Sequence, residues 1–244
     1  MKGAFDSLDD NNDDINQSIK KSIISCGFTF FSITMFLSRS LTKTERLVIE
    51  NYPKEWRTHY DENNYHDYDP ILAYAKTFST PIHWHKLLTD AHPDGKAVLK
   101  NALRFGIGPG FSIPFRGKLS ALGIISINAV DENPCHEDYA RCIKEILAIT
   151  PYIHEKMMQA LERQTIKLTK REQECLFWAC EGKTSWEIAQ IIGCSDRTVV
   201  FHLNNISEKF GTQNRYQTIT HALLSGAITP QLFSSSSHTK IRVP

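Results

Sequence analysis

Between residues 52 and 84 the chain places Tyr52, Trp56, Tyr60, Tyr65, Tyr68 and Trp84 around one carboxylate, Asp69. Tyr and Trp each bring a large apolar body and a single hydrogen-bonding tip. A pocket with that lining suits a small amphipathic ligand, held by packing and oriented by a few polar tips. The plainer reading, core aromatics with Asp69 as a helix cap, carries more weight on residue type alone. No activated nucleophile stands beside a base, so the cluster reads as a binding site with no catalytic residues. A second group lies near the end of the chain. Arg197, Thr198, Val200, His202, Asn204, Asn205 and Lys209 share the surface opposite an apolar stripe. A helix carrying cationic, hydroxyl and amide groups there can enter a major groove and reach bases and phosphates.

The second group is positioned by three closely spaced helix starts. Thr169-x-x-Glu172 and Thr184-x-x-Glu187 have the capping-box form. Ser195 followed by Asp196 is a good N-cap with an anion in the first turn. The turn Gly193-Cys194-Ser195 joins two helices tightly enough for a helix-turn-helix. Val199, Leu203, Ile206 and Phe210 give the third helix its buried stripe; Trp186, Ala189 and Ile192 or Gly193 are expected to do so for the second. Trp178 and Trp186 read as core, and His202 as a packed or capping histidine.

The first group needs a different frame. Helices are expected up to Ser25, over Tyr52–Tyr60, after Asp69-Pro70, over Ala97–Phe105 and from Cys135 to Gln164. Pro151 is a candidate kink in the last of these. Strands are expected at Phe28–Phe36, Arg46–Asn51, Gly110–Phe115 and Ala121–Asn128, with Thr80–Trp84 short and extended. This pattern predicts an α+β chain. A front α/β/α sandwich with a central antiparallel sheet precedes a small all-α domain of four helices. The expected boundaries are 1–162 for the first domain, 163–167 for a linker, 168–230 for the second domain and 231–244 for a disordered tail, with a loose acidic lead-in over the first 12 residues.

Composition sets the outer bounds. Of 244 residues, 41% are hydrophobic and 23% charged, the profile of a globular chain able to bury a core. Net charge is +1, and residues 161–226 hold eight Lys/Arg against seven Asp/Glu, so nucleic-acid binding rests on patterning rather than bulk charge. The six cysteines lack a Cys-x-x-Cys pair and read as reduced thiols of a cytoplasmic protein. The start has no signal-peptide pattern and no apolar run reaches ~18 residues, so no membrane partner is expected. His83 and His85 lack obvious further ligands, so no metal is expected. Gly106-x-Gly108-x-Gly110 reads as a turn, and the Asp9–Asp14 run as solvated rather than as a calcium loop.

The ordered set Leu168-Thr-x-Arg-Glu172, Leu176-x-Trp-Ala-x-Glu-Gly-Lys-Thr184, Glu187-Ile-Ala189 and Arg197-Thr-Val-x-Phe-His-Leu-x-Asn205 resembles the LuxR family of bacterial transcription regulators. In the front half, Tyr52-Pro53-x-x-Trp56-x-x-x-Tyr60, Asp69-Pro70, Trp84, Gly117 and Gly123-x-x-Ser126 resemble that family's ligand-binding domain. The resemblance implies a quorum-sensing regulator that binds an N-acyl-homoserine lactone and, as a homodimer, a palindromic promoter element in double-stranded DNA, with RNA polymerase as a further partner and no cofactor. It implies that Trp56 donates to the lactone carbonyl and Asp69 accepts from the ligand amide. Tyr52 and Ser126 would bond the amide-side carbonyl, while Tyr60 and Trp84 pack on the ligand. Phe30, Phe31, Phe36, Ile71, Phe105, Phe111 and Ile124 are candidates for the acyl channel and equally for plain core. It implies Lys183, Thr184, Arg197, Thr198 and Lys209 at phosphates, with Val200 and Asn204 facing bases. Val200 departs from the Lys or Asn usual in the family. The alternatives are a ligand-independent or differently liganded regulator, a response regulator with the same DNA-binding module, and an enzyme using Asp69 with a histidine.

Overall fold

The computed structural model describes residues 12–38, 40–117, 121–130, 134–162 and 166–228. The acidic lead-in, the tail and most of the expected linker therefore lie outside the described residues. The chain divides into a front unit, residues 1–38 and 43–164, and a back unit, residues 165–244 together with the short stretch 39–42.

The front unit is built on one five-stranded antiparallel sheet, ordered β2-β1-β5-β4-β3. Its strands are β1 (Phe30–Ser38), β2 (Thr44–Glu50), β3 (Ile82–His83), β4 (Gly110–Arg116) and β5 (Leu122–Asn128). Side chains alternate across the pleat. Phe31, Ile33, Met35, Phe111, Ile113, Ile125 and Ile127 face one core, shared with helices α1 (Asn12–Ser25) and α6 (His136–Glu162). Phe30, Phe36, Ile82, Leu122 and Ile124 face the other. That second core is roofed by α2 (Lys54–Glu62), α3 (Pro70–Thr77), α4 (Trp84–Asp90) and α5 (Pro93–Arg104). The result is the expected α/β/α sandwich. Helix α6 runs through Pro151, and the neighbouring Thr150 hydroxyl donates to the Ile146 carbonyl at 2.8 Å.

Some local expectations shift. Trp84 opens α4 instead of closing an extended segment. Phe31 and Phe111 belong to the core beneath the sheet, because their strand positions point to the α1/α6 face. They cannot line a channel on the opposite side.

The back unit has four helices: α7 (Lys170–Cys180), α8 (Ser185–Ile192), α9 (Asp196–Phe210) and α10 (Arg215–Ser225). Both capping boxes form. Thr169 N donates to Glu172 Oε2 at 2.7 Å, and Thr184 N to Glu187 Oε2 at 2.8 Å. Ser195 caps α9 by accepting from Thr198 N at 3.1 Å. Gly193 ends α8 in the left-handed region at φ +70°, where a side chain would be strained. The core between α7, α8 and α9 holds Cys175, Ala179, Ile188, Ala189 and Val199. Trp186 is not in it: it is 64% exposed, because Ile188, Ala189 and Ile192 set the packed face of α8. Trp178 packs at the edge of that core. Among the described residues no helix is long and apolar enough to cross a membrane.

Candidate ligand chamber and nucleic-acid interface

The chamber lies between the sheet and its roof of helices. Its floor is Ser32, Thr34 and Phe36 from β1 with Ile124 and Ser126 from β5. Trp56, Arg57 and Tyr60 enter from α2, Asp69, Ile71 and Leu72 from the start of α3, and Trp84 from α4. Tyr52 comes from the segment before α2. Helix α5 closes the apolar end with Val98, Leu99 and Ala102. All six residues singled out in the sequence, Tyr52, Trp56, Tyr60, Asp69, Trp84 and Ser126, thus meet at one cavity. Tyr68 is 54% exposed and stands outside it.

Local sequence fixes each tip. Pro53 precedes α2, whose i, i+4 spacing sends Trp56 and Tyr60 to the same buried face. Asp69 caps α3, with Ile71 N donating to its Oδ1 at 2.8 Å, while the Tyr60 hydroxyl donates to Oδ2 at 2.8 Å. Burial pushes the Asp69 carboxyl above the ordinary carboxylate range, against the pull of those two bonds. Burial and the nearby Asp69 charge push the Tyr60 phenol up, keeping it a neutral donor. The cap reading and the ligand reading are therefore compatible. Each carboxylate oxygen has a second lone pair, so Asp69 can still accept from a ligand N–H.

The Tyr52 hydroxyl donates to Asn128 Oδ1 at 2.7 Å, and Asn128 Nδ2 donates to the Gly108 carbonyl at 3.0 Å. The Trp84 indole donates to Ser112 Oγ at 2.9 Å, and Ser112 lies 2.8 Å from Ser126 Oγ. No hydrogen bond joins the Trp56 indole N–H to another described residue. That ring is only 4% exposed and packs between Tyr60, Tyr65 and Phe105. On the other flank Glu50 accepts from Arg57 Nε at 2.7 Å and from Ser32 Oγ at 3.0 Å. Arg46 pairs with Asp61 at 3.1 Å. Ser112 and Asn128 escaped the sequence reading, since only strand register brings them under the aromatics.

The cavity is about 70 Å³. Sites that enclose drug-sized ligands measure ~300–1,000 Å³. A ligand of that size would need the lining side chains to move apart. Among the described residues no three His, Cys, Asp or Glu side chains group as metal ligands.

In the back unit α9 presents Arg197, Thr198, Val200 and Asn204 to solvent, with Val200 41% exposed. Phe201 is 59% exposed beside His202, which is partly covered. Lys183 and Thr184 sit at the start of α8, where Lys183 Nζ lies 3.8 Å from Glu187. Thr184 Oγ1 is used as the cap, accepting from Glu187 N at 3.3 Å. Lys209 differs from the rest. Its ammonium is 2.6 Å from the buried Glu172 carboxylate and also reaches the Lys167 carbonyl at 3.3 Å. Its charge is spent largely on tying α9 to the start of α7.

Comparison with known proteins agrees with this two-part architecture. Residues 11–157 match the family described as autoinducer binding domain, and residues 167–222 match that described as bacterial regulatory proteins, luxR family. The transcriptional activator LuxR of Aliivibrio fischeri is 35% identical over 230 residues, 92% of each chain. The transcriptional activator VanR of Vibrio anguillarum is 38% identical over 216 residues, 84% of this chain and 87% of VanR. In fold, the chain resembles SdiA of Escherichia coli with a TM-score of 0.76 at 24% identity, over 91% of this chain and 93% of SdiA. The chain belongs to the LuxR family of quorum-sensing transcription regulators, DNA-binding proteins rather than enzymes, with an autoinducer-binding domain followed by a helix-turn-helix domain.

Proposed function

We propose that the front chamber binds an N-acyl-homoserine lactone and that binding governs attachment of the back unit to a palindromic operator. The observation that carries this reading is the convergence of Tyr52, Trp56, Tyr60, Asp69, Trp84 and Ser126 on one cavity. The uncommitted Trp56 N–H meets the lactone carbonyl. Asp69 takes the ligand amide N–H, which in a dry site needs an acceptor, since an unpaired buried polar group costs ~1–3 kcal/mol. Tyr52 and Ser126 face the amide-side carbonyl, Tyr60 and Trp84 pack on ring and chain, and Val98, Leu99, Ala102 and Ile124 take the acyl tail.

The ligand thereby joins the core, and binding stabilises the fold or its dimer by mass action. A homodimer sets two α9 helices on a two-fold symmetric site. Lys183, Thr184, Arg197 and Thr198 meet phosphates, Val200 and Asn204 face bases, and Lys209 contributes what charge Glu172 leaves. The protein works in the cytoplasm and acts on RNA polymerase at the promoter. A second reading, another amphipathic ligand in the same chamber, is favoured by the structure of SdiA in complex with octanoyl-rac-glycerol, which has a TM-score of 0.73 to this chain. Mass spectrometry of small molecules extracted from the protein, expressed beside a panel of acyl-homoserine lactones, tests the choice. Enrichment of one lactone supports the proposal, and enrichment of an acylglycerol instead refutes it.

A further inference from the structure

The polar tips of the chamber need a frame that holds their direction, and for Trp56 that frame lies outside the cavity. Helix α2 carries Trp56 and His59 at i, i+3, side by side on neighbouring turns. Asn64 then reverses the chain with a left-handed backbone at φ +50°, which Asn tolerates. The reversal brings Tyr65, the first residue of a short 3-10 turn over Tyr65–Asp67, back onto α2. Its ring packs on Trp56 with centroids 6.0 Å apart and on Tyr60 at 5.8 Å. Trp56 and Tyr60 line the chamber, whereas Tyr65 stands outside the lining.

The Tyr65 hydroxyl is a three-way junction. Arg104 donates to Asn101 Oδ1 at 3.0 Å, and a guanidinium can only donate. That turns the Asn101 amide nitrogen toward Tyr65, whose oxygen accepts from it at 2.8 Å. On its other side the same hydroxyl meets His59 Nε2 at 3.2 Å. Whichever of the two carries the shared hydrogen, this bond ties the turn to α2, as the Asn101 bond ties it to α5. Phe105, just past the end of α5, closes the frame by packing on Trp56 at 5.6 Å and on His59 at 5.1 Å. Trp56 has a single N–H, and a hydrogen bond weakens steeply as its angle departs from linear. A ring free to tilt loses such a bond before it loses its packing.

We infer that Tyr65 is a positioning residue for ligand binding: its hydroxyl knots α2 to α5 behind Trp56 and fixes the direction in which the indole N–H enters the chamber. The inference rests on the lactone reading above, in which that N–H meets the lactone carbonyl. It gives a task to a tyrosine that does not itself touch the cavity.

The test titrates the full-length protein with N-hexanoyl-homoserine lactone and with N-cyclopentylhexanamide, which keeps the amide and the acyl chain but lacks the ring carbonyl. Wild type prefers the lactone. Tyr65→Phe keeps the ring packing and removes the knot, so this preference narrows roughly 2- to 13-fold, the worth of one neutral hydrogen bond. Asn101→Ala cuts the α5 side of the knot, narrows the preference in the same sense, and serves if Tyr65→Phe folds poorly. In a Trp56→Phe background, Tyr65→Phe leaves the ratio of the two affinities unchanged. A merely structural Tyr65 would weaken both ligands alike and keep their ratio at the wild-type value, which overturns the inference while the lactone reading stands. Equal affinity of wild type for the two ligands overturns both the Trp56–carbonyl contact and the inference built on it.

Discussion

Replacing Asp69 with Asn separates the two tasks of its carboxylate. As a cap, Asn is equivalent to Asp, and its oxygen keeps the Ile71 N–H that Asp69 accepts at 2.8 Å. The new amide nitrogen then faces the Tyr60 hydroxyl, which donated to Asp69 Oδ2 at 2.8 Å and turns to accept instead. Removing an ionised group that burial has already disfavoured offsets part of the cost of that reversal. Ligand-free stability of Asp69→Asn should therefore stay within about 1 kcal/mol of wild type by thermal or urea unfolding. Ligand binding should not. A hydrogen bond to a charged acceptor is worth ~1.5–3 kcal/mol against ~0.5–1.5 kcal/mol for a neutral one, so Kd for the lactone should rise roughly 5- to 30-fold. Because the folded-state carboxyl is raised above its unfolded range, it contributes to ligand-free stability below the ordinary carboxyl range. That contribution is lost as pH rises through the raised value. Lactone affinity runs the other way: it falls as pH drops through the raised value and the acceptor is protonated. Calorimetric titration from neutral to mildly acidic pH should show this slope in wild type and a flat line in Asp69→Asn. An unchanged Kd with the slope retained would refute the assignment of the amide to Asp69.

Other outcomes follow from the back unit. Val200→Lys should tighten binding to a family-like palindrome by roughly 5- to 150-fold, the ~1–3 kcal/mol of a polar base contact, read by fluorescence anisotropy. Unchanged binding would mean that Val200 is not in the groove. Burial pushes the Glu172 carboxyl up, but the Lys209 ammonium and the Thr169 bonds outweigh it and hold the group below its ordinary range. Its stabilisation is thus present above the ordinary carboxyl range and lost as pH falls through the lowered value. Glu172→Gln should destabilise the α7–α9 contact by about 1–3 kcal/mol near neutral pH and remove part of this acid sensitivity, measured by hydrogen exchange of α7 and α9.

Legibility in the sequence followed the range of the interaction. Thr169, Glu172, Thr184, Glu187 and Ser195 are read within a turn of chain, and all five make the predicted cap bonds. Strand alternation gave the sheet to within a few residues at each end. The six chamber residues are picked out by resemblance, since by type alone plain core is the weightier reading. What failed required tertiary information. Trp186 was assigned to the core on spacing, but Ile188 and Ala189 fill that face and leave it exposed. For Phe31 and Phe111, channel and plain core stay equally open in the sequence, and only the pleat decides for the core. Ser112 and Asn128 carry no motif; antiparallel pairing of β4 with β5 puts one beside Ser126, and packing puts the other under Tyr52. For Lys209, which the resemblance sets at a phosphate, sequence gave no sign of its bond to Glu172, distant in the chain.

The most direct test of the coupling between chamber and groove is a DNA-binding titration at fixed protein concentration. A labelled palindromic duplex is followed by anisotropy while an N-acyl-homoserine lactone is added, at one stated salt concentration because phosphate contacts are salt-dependent. The predicted result is duplex affinity that climbs with lactone occupancy in wild type and needs proportionately more lactone in Asp69→Asn. Equal duplex affinity at every lactone concentration, with the lactone demonstrably bound, would contradict it.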